Sequence, residues 1–386
     1  MLTDASTIIR TNNRGQTAEE ILQESIQVGI ERASNIVSQV RRTIPTDQIV
    51  RSPKLRFEVG QVDEANESDH LEIHMRAKGL DVKLHRNAVS QICTYTGLPI
   101  KYADKLVAPG EHRGRRMEML TGHLNQWMEM HQGEKRLVRS LDGEARAFLS
   151  DKYKRIDSIA VVDTFSTAMK DIGARPYADR ASGLGAYATD LRWSISGVLP
   201  QVFRTTRDAV AVGVQLRNSD YGRGRLELSL YLIRLWCLNG CTANDVMKKT
   251  HVGSRLDENI EYSAKTYELD TAASTSALKD AIADVMGERK VKALVDGISK
   301  LEAQQVDWAK AKVALRKKLL KGEMEAVEAA FEGDDVVNLP AGSPPWRVSN
   351  ALSWVAKSDD VSPERKLDLE RYAGEALDVA GWLKAS

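Results

Sequence analysis

Tyr153 stands inside a run of cations, Lys152, Lys154 and Arg155, and Tyr221 lies between Arg217 on one side and Arg223 and Arg225 on the other. Cations beside aromatics suit single-stranded nucleic acid, where phosphates want positive charge and unstacked bases want a π-face. A wider basic set extends the pattern over predicted strands and turns: Arg139, Arg146, Arg192, Arg204, Arg207, Lys248, Lys249 and Arg255, with Trp193 and Phe203 among them. The same residues have a plainer reading, because exposed strands commonly carry Lys and Arg for solubility and edge protection. The six cations named first are the candidate phosphate contacts, and the two tyrosines the candidate stacking groups.

Other chemistries find less to build on. His70, Glu72 and His74 alternate in HLEIH, so on a strand they share one face. The spacing is not that of a helical metalloprotease motif, where Glu directly follows the first His, and no second cluster supplies further ligands. Cys237 and Cys241 are four apart, which is not the spacing of a zinc knuckle, and read as structural. Gly183-Leu-Gly185 is too short for a dinucleotide fingerprint, and neither a phosphate-binding GxxxxGKS/T loop nor a GxSxG elbow occurs. No cofactor, metal or catalytic residue is expected. Dispersed carboxylates are the remaining enzymatic option.

The elements that must position these groups centre on Ala209–Cys241. Val210, Val212, Val214 and Leu216 alternate with small or polar partners, as do Leu226, Leu228, Leu230 and Leu232. Both runs carry the signature of a half-buried strand, and the Asn-Ser-Asp and Gly-rich stretch between them predicts a long polar hairpin loop. Upstream, Thr17 and Glu20 form a capping box for a helix through Arg42. Pro45 to Asp69 reads as a polar connector. Strands at Leu71–Met75 and Leu80–Leu84 precede helices at 86–96, 99–106 and 111–131, the last with Met117, Leu120, Leu124, Trp127 and Met128 as its apolar side. Asp142-Gly143 turns a hairpin of Arg136–Leu141 and Ala145–Ser150. Ser158 caps a helix through Lys170, and strands follow at Arg175–Asp179 and Leu191–Val198. Past Arg255 the pattern is helical: Ser274–Met286, a long segment Val291–Phe331, a short helix after Pro345, and a last one from Ser362 to Lys384.

Of the 386 residues, 42% are hydrophobic and 28% charged, which places the chain among soluble globular proteins rather than disordered ones. No apolar run approaches the roughly 20 residues of a membrane helix. The N-terminus lacks the charged and apolar regions of a secretory signal. Three cysteines without a framework spacing suggest a reducing compartment, and a cytoplasmic location is the expectation. The net charge of +1 hides an asymmetry: residues 175–255 hold twelve Lys/Arg against six Asp/Glu, and residues 256–386 hold eighteen against twenty-four. A basic middle permits an anionic partner, and equally permits the acidic tail to pack on it as an internal counter-charge.

Several stretches resemble the phage/plasmid-like protein family, whose domain has no assigned function. They are LHRNAVSQICTYTGLPIKYADKL, FLSDKYKRID, VGVQLRNSDYGRGRLELSLYLIRLWCLNGC and PPWRVSNALSWVA, in the family's order over roughly residues 80–356. The family's signature N-S-D/E-x-G followed by R-x-x-C-x-N-G falls on Asn218, Ser219, Asp220, Gly222, Arg234, Cys237, Asn239 and Gly240. GRGR after Tyr221 departs toward a more basic stretch than the family's. The resemblance implies a phage, prophage or plasmid origin and an α+β core. A remoter likeness, at the level of fold and genomic setting, is to the single-strand annealing recombinases of phages.

Together these readings predict an α+β protein with a mixed, largely antiparallel sheet core at 61–255, an N-terminal helical arm at 1–60 and an acidic helical region at 256–386. The expected function is non-catalytic binding of single-stranded DNA by a homo-oligomer, in recombination or replication, with no membrane partner. The rival is a host or phage protein partner engaged by the same arginines.

Overall fold

Thr17 opens the first helix as its side chain requires. Its hydroxyl accepts the Glu20 amide at 3.3 Å while the Glu20 carboxylate accepts the Thr17 amide at 2.8 Å, closing the capping box of α1 (Ala18–Arg42). In the computed structural model, the structure describes residues 15–60, 72–131, 134–177, 183–184, 191–249, 263–333, 344–358 and 360–377. Within them the chain is α+β, with two mainly antiparallel sheets.

The first sheet has the strand order β1-β5-β6-β4-β3-β2. Its strands are β1 (Thr46–Arg51), β2 (Arg56–Gly60), β3 (Glu72–Ala77), β4 (Leu80–Leu84), β5 (Lys135–Leu141) and β6 (Glu144–Ser150). The β4–β6 pair is parallel and the others antiparallel. β1 and β2 correct the expected polar connector, and place residues 46–60 in this sheet rather than in a helical arm. They are edge strands, so a polar outer face leaves little apolar alternation for the sequence to show. The Asp142-Gly143 hairpin is as predicted, with φ of 53° and 74° at the two turn residues, as a two-residue turn of this hand needs. α2 (Arg86–Thr96), α3 (Ile100–Val107) and α4 (Arg113–Met130) cover this sheet around Phe57, Met75, Ile92, Leu124 and Phe148.

The second sheet runs β13-β12-β11-β9-β7, with β8 paired to β9 and β10 to β11, all antiparallel. The strands are β7 (Arg175–Pro176), β8 (Gly183–Leu184), β9 (Trp193–Val198), β10 (Phe203–Arg204), β11 (Ala209–Asn218), β12 (Leu226–Arg234) and β13 (Asn239–Lys249). β11 is buried at every position except Arg217, so the expected half-buried strand is a central one covered on both faces. Val214 and Leu216 pack with α5 (Ser158–Asp171), α6 (Ala264–Val285) and the end of α1; Ala209 and Ala211 pack with the start of α1. Val210 and Val212 pack with Val295, Leu315, Phe331, Trp346 and Leu369 from the C-terminal helices.

The expected long helix over Val291–Phe331 is broken into α7 (Glu288–Leu301), α8 (Trp308–Arg316) and α9 (Lys321–Glu332). Folding back puts Ile298, Leu315 and Val327 into one apolar cluster, which a straight rod cannot do. α10 (Pro345–Val355) and α11 (Pro363–Glu375) complete the cover, and Ser362 caps α11 as predicted. The core and the C-terminal region therefore share one hydrophobic cluster across the expected 255/256 boundary.

Candidate functional site

The hairpin loop expected to reach into solvent turns inward over its first half. Asn218, Ser219, Asp220 and Tyr221 are all buried, and their polar groups join the two sheets. The Asn218 amide donates to the Ile156 carbonyl at 3.1 Å, and the Ser219 hydroxyl to the Leu191 carbonyl at 2.8 Å. Asn87 and Gln91 of α2 donate to the Tyr221 carbonyl at 3.1 and 2.9 Å, which ties the loop to the first sheet's helix. Gly222 follows with φ of 73°, and a Cβ there would lie 2.6 Å from Leu149. Asn, Ser, Asp and Gly recur here because only short polar side chains and a glycine fit a buried turn whose backbone groups all need partners.

Arg139 on β5 is the hub of this junction. It is 1% exposed and donates to Asp47 at 2.7 Å, to Asp157 at 2.7 Å and to the backbone carbonyl of Asp220 at 2.9 Å. Burial opposes its charge, but Asp157, Asp47 and Asp220 together hold the guanidinium charged beyond the usual range. The Asp220 carboxylate accepts the Ser158 amide at 2.9 Å. Asp220 thus takes the first N–H of α5, the role predicted for Ser158, whose hydroxyl instead accepts Trp193 Nε1 at 2.7 Å. Burial pushes the Asp220 carboxyl up to about 6 against the attraction of Arg139.

The candidate contacts separate into internal and external groups. Tyr153 and Tyr221, expected to stack on bases, are core residues at 8% and 2% exposure, so the stacking roles are corrected. The Tyr153 hydroxyl donates to the Ser219 carbonyl at 3.4 Å, and burial raises its phenol above the usual range. Lys154 pairs with Asp270 of α6. Arg155 pairs with Asp47 at 3.1 Å and lies 4.3 Å over the Tyr267 ring of α6. Arg217 donates to Gln215 at 2.7 Å and approaches Glu370 of α11 to 3.9 Å. Of these three, Arg217 belongs to the basic stretch 175–255, and Glu370 is its counter-charge from the acidic C-terminal region. Lys152 is half-buried, while Arg223 and Arg225 are exposed. In the wider set, Arg146 pairs with Glu144 at 3.0 Å and Arg204 with Glu19 at 2.7 Å. Arg255 and the side chains of Lys248 and Lys249 lie outside the described residues.

Arg234 and Cys237 of the R-x-x-C-x-N-G segment are equally internal. Arg234 pairs with Asp208, and the same Asp208 oxygen accepts Trp346 Nε1 of α10 at 2.9 Å, pinning the C-terminal helices to the β11–β12 end. Cys237 accepts from Arg234 at 3.6 Å. Burial pushes the thiols of Cys93 and Cys241 up to about 11 and 12, which keeps them protonated and poor nucleophiles. His70 of the HLEIH triplet lies outside the described residues; Glu72 pairs with Lys83 and His74 with Asp81, each at 3.3 Å. Among the described residues no group of His, Cys, Asp and Glu is arranged to hold a metal, and no helix is long and apolar enough to cross a membrane.

Sequence periodicity misplaced one aromatic. Trp127, assigned to the apolar side of α4, is 37% exposed, with Met119 and Met130 exposed beside it. The signal was present: Met117, Leu120, Leu124 and Met128 already complete an inward stripe, and Trp127 lies one step off it. No protein family, curated protein or solved structure matches the chain.

Proposed function

We propose that the chain is a non-catalytic protein of phage or plasmid origin that binds single-stranded DNA, as an oligomer, in recombination or replication. The observation that supports this is the outward half of the hairpin loop. Arg223 and Arg225 are exposed directly after a turn whose root is held by buried hydrogen bonds to both sheets. Arginines on a pre-ordered loop lose little freedom when they meet phosphates. Lys152, half-buried on the turn after β6, is the neighbouring predicted cation.

A salt titration of fluorescent oligonucleotide binding tests the reading. Log affinity falls linearly with log salt, by about 0.7 per phosphate contact for single strands, and Arg223→Glu with Arg225→Glu flattens that slope. Absence of binding by the unaltered chain at low salt refutes it. The second reading, a protein-binding factor, is favoured by the internal use of Lys154, Arg155 and Arg217. Under it, the same double variant loses a host or phage protein partner in pull-down and no oligonucleotide binds.

A further inference from the structure

α4 shows two faces of opposite character. Met117, Leu120, Leu124 and Met128 point into the first sheet's core. On the outer face Met119 and Met130 are 52% and 63% exposed, and Trp127 37%. Isolated exposed apolar residues are ordinary, but three along one helix face form an apolar strip.

Rings line this face and continue beyond it. His123 lies 5.9 Å from Tyr102 of α3, one turn before Trp127. Trp127 is 6.1 Å from His131, and His131 is 4.7 Å from Tyr95. The Arg136 guanidinium sits 4.0 Å over the Tyr95 ring and closes the row. Positions 123, 127 and 131 recur every four residues, a rise of about 6 Å per step along the helix. α3 runs beside α4, since Arg116 donates to the Lys105 carbonyl at 3.0 Å. Lys101 and Lys105 are exposed on α3 and Arg115 on α4. Of the nearby acids, Asp104 pairs with Arg86, Glu129 with Arg56 and Glu134 with Arg136, and Glu111 and Glu118 are further opposing charges on these helices.

We propose that the outer face of α3 and α4 is a stacking track for single-stranded DNA, with bases on Trp127 and its neighbouring rings and phosphates on Lys101, Lys105 and Arg115. The choice of ligand class rests on the function proposed above. Charge selects this occupant: a row of rings edged by cations fits a polyanion with π-faced bases, which an apolar protein helix does not supply. The track takes over the stacking role that the buried Tyr153 and Tyr221 leave vacant.

Fluorescence anisotropy of a labelled oligothymidine tests it, using the full chain and variants whose folding is checked by circular dichroism. Removing a base-stacking ring typically costs about 5- to 150-fold in affinity. Trp127→Ala weakens binding by that order with an unchanged salt slope, and Trp127→Phe restores most of it. Lys101→Glu with Lys105→Glu lowers the slope by about 0.7 per contact instead. If Trp127→Ala binds like the unaltered chain while Arg223→Glu with Arg225→Glu does not, the track is refuted and the single-strand reading stands. If the unaltered chain binds no oligonucleotide at low salt, both are refuted. Self-association by ultracentrifugation that Trp127→Ala abolishes, without oligonucleotide binding, makes the face a contact between copies and overturns the track.

Discussion

Asp220 offers a sharp test of how the junction between the sheets is built. Two forces act on its carboxyl in opposite directions: burial favours the neutral acid and Arg139 favours the anion. The net result is a folded pKa of about 6 against an ordinary value of 3.8. A carboxyl with a raised folded value holds its proton more tightly in the native state. The stability it contributes is fully present below about 3.8 and is lost as pH rises through about 6. A difference near two units corresponds to about 3 kcal/mol. Asp220→Asn removes the titration while keeping a carbonyl oxygen to accept the Ser158 amide. Urea unfolding of both proteins from pH 4 to pH 7.5 should show the variant gaining about 2 kcal/mol relative to the parent across that window, since part of the contribution is already lost at pH 4. Taking the difference cancels every other titrating group that the two proteins share. A difference that stays within about 1 kcal/mol, or that moves in the opposite sense, refutes the argument. The second outcome means that Asp220 is an anion held by Arg139.

Arg139→Met removes the buried guanidinium shared by Asp47, Asp157 and the Asp220 carbonyl; the expected loss in urea unfolding at pH 7 is about 3 kcal/mol, at the low end for a broken buried pair because Asp157 is partly exposed and Asp47 keeps Arg155. Gly213→Ala on β11 would place its Cβ 2.0 Å from the Gly197 carbonyl oxygen on β9, backbone that a rotamer change cannot move; we expect a loss of at least about 3 kcal/mol or no soluble folded protein, read by thermal unfolding and yield. Trp346→Phe removes the indole N–H that Asp208 accepts, at a cost of about 2 kcal/mol measured by chemical denaturation, with α10 more protease-sensitive.

Local chemistry in the chain determined much of the secondary structure. Thr17 with Glu20, Asp142-Gly143, Gly97 and Ser362 mark element ends through interactions spanning only a few residues, and each appears where its side chain or backbone freedom places it. The α+β class was also legible, since the periods of β11, β12 and the C-terminal helices differ along the chain. The edge strands β1 and β2 were not, because one polar face hides the alternation of a short strand. The breaks between α7, α8 and α9 follow from burying three helices in one cluster rather than from local propensity.

What only the tertiary structure decided is which polar groups face water. Lys152, Tyr153, Lys154 and Arg155 look like one basic-aromatic run, yet the chain turns Tyr153 into the core and gives Lys154 and Arg155 to Asp270, Asp47 and Tyr267. Arg217 and Tyr221 meet the same fate, while Arg223 and Arg225, a few residues on, remain outside. The Leu367 carbonyl that accepts Arg217 lies 150 residues away in sequence, so no window of neighbouring residues records the pairing. Charge type is written in the chain, but whether a charge is held inside by a distant partner or left at the surface is settled by burial. The same physics exposes Trp127: the core beneath α4 is already filled by four other side chains, and the indole has no room below.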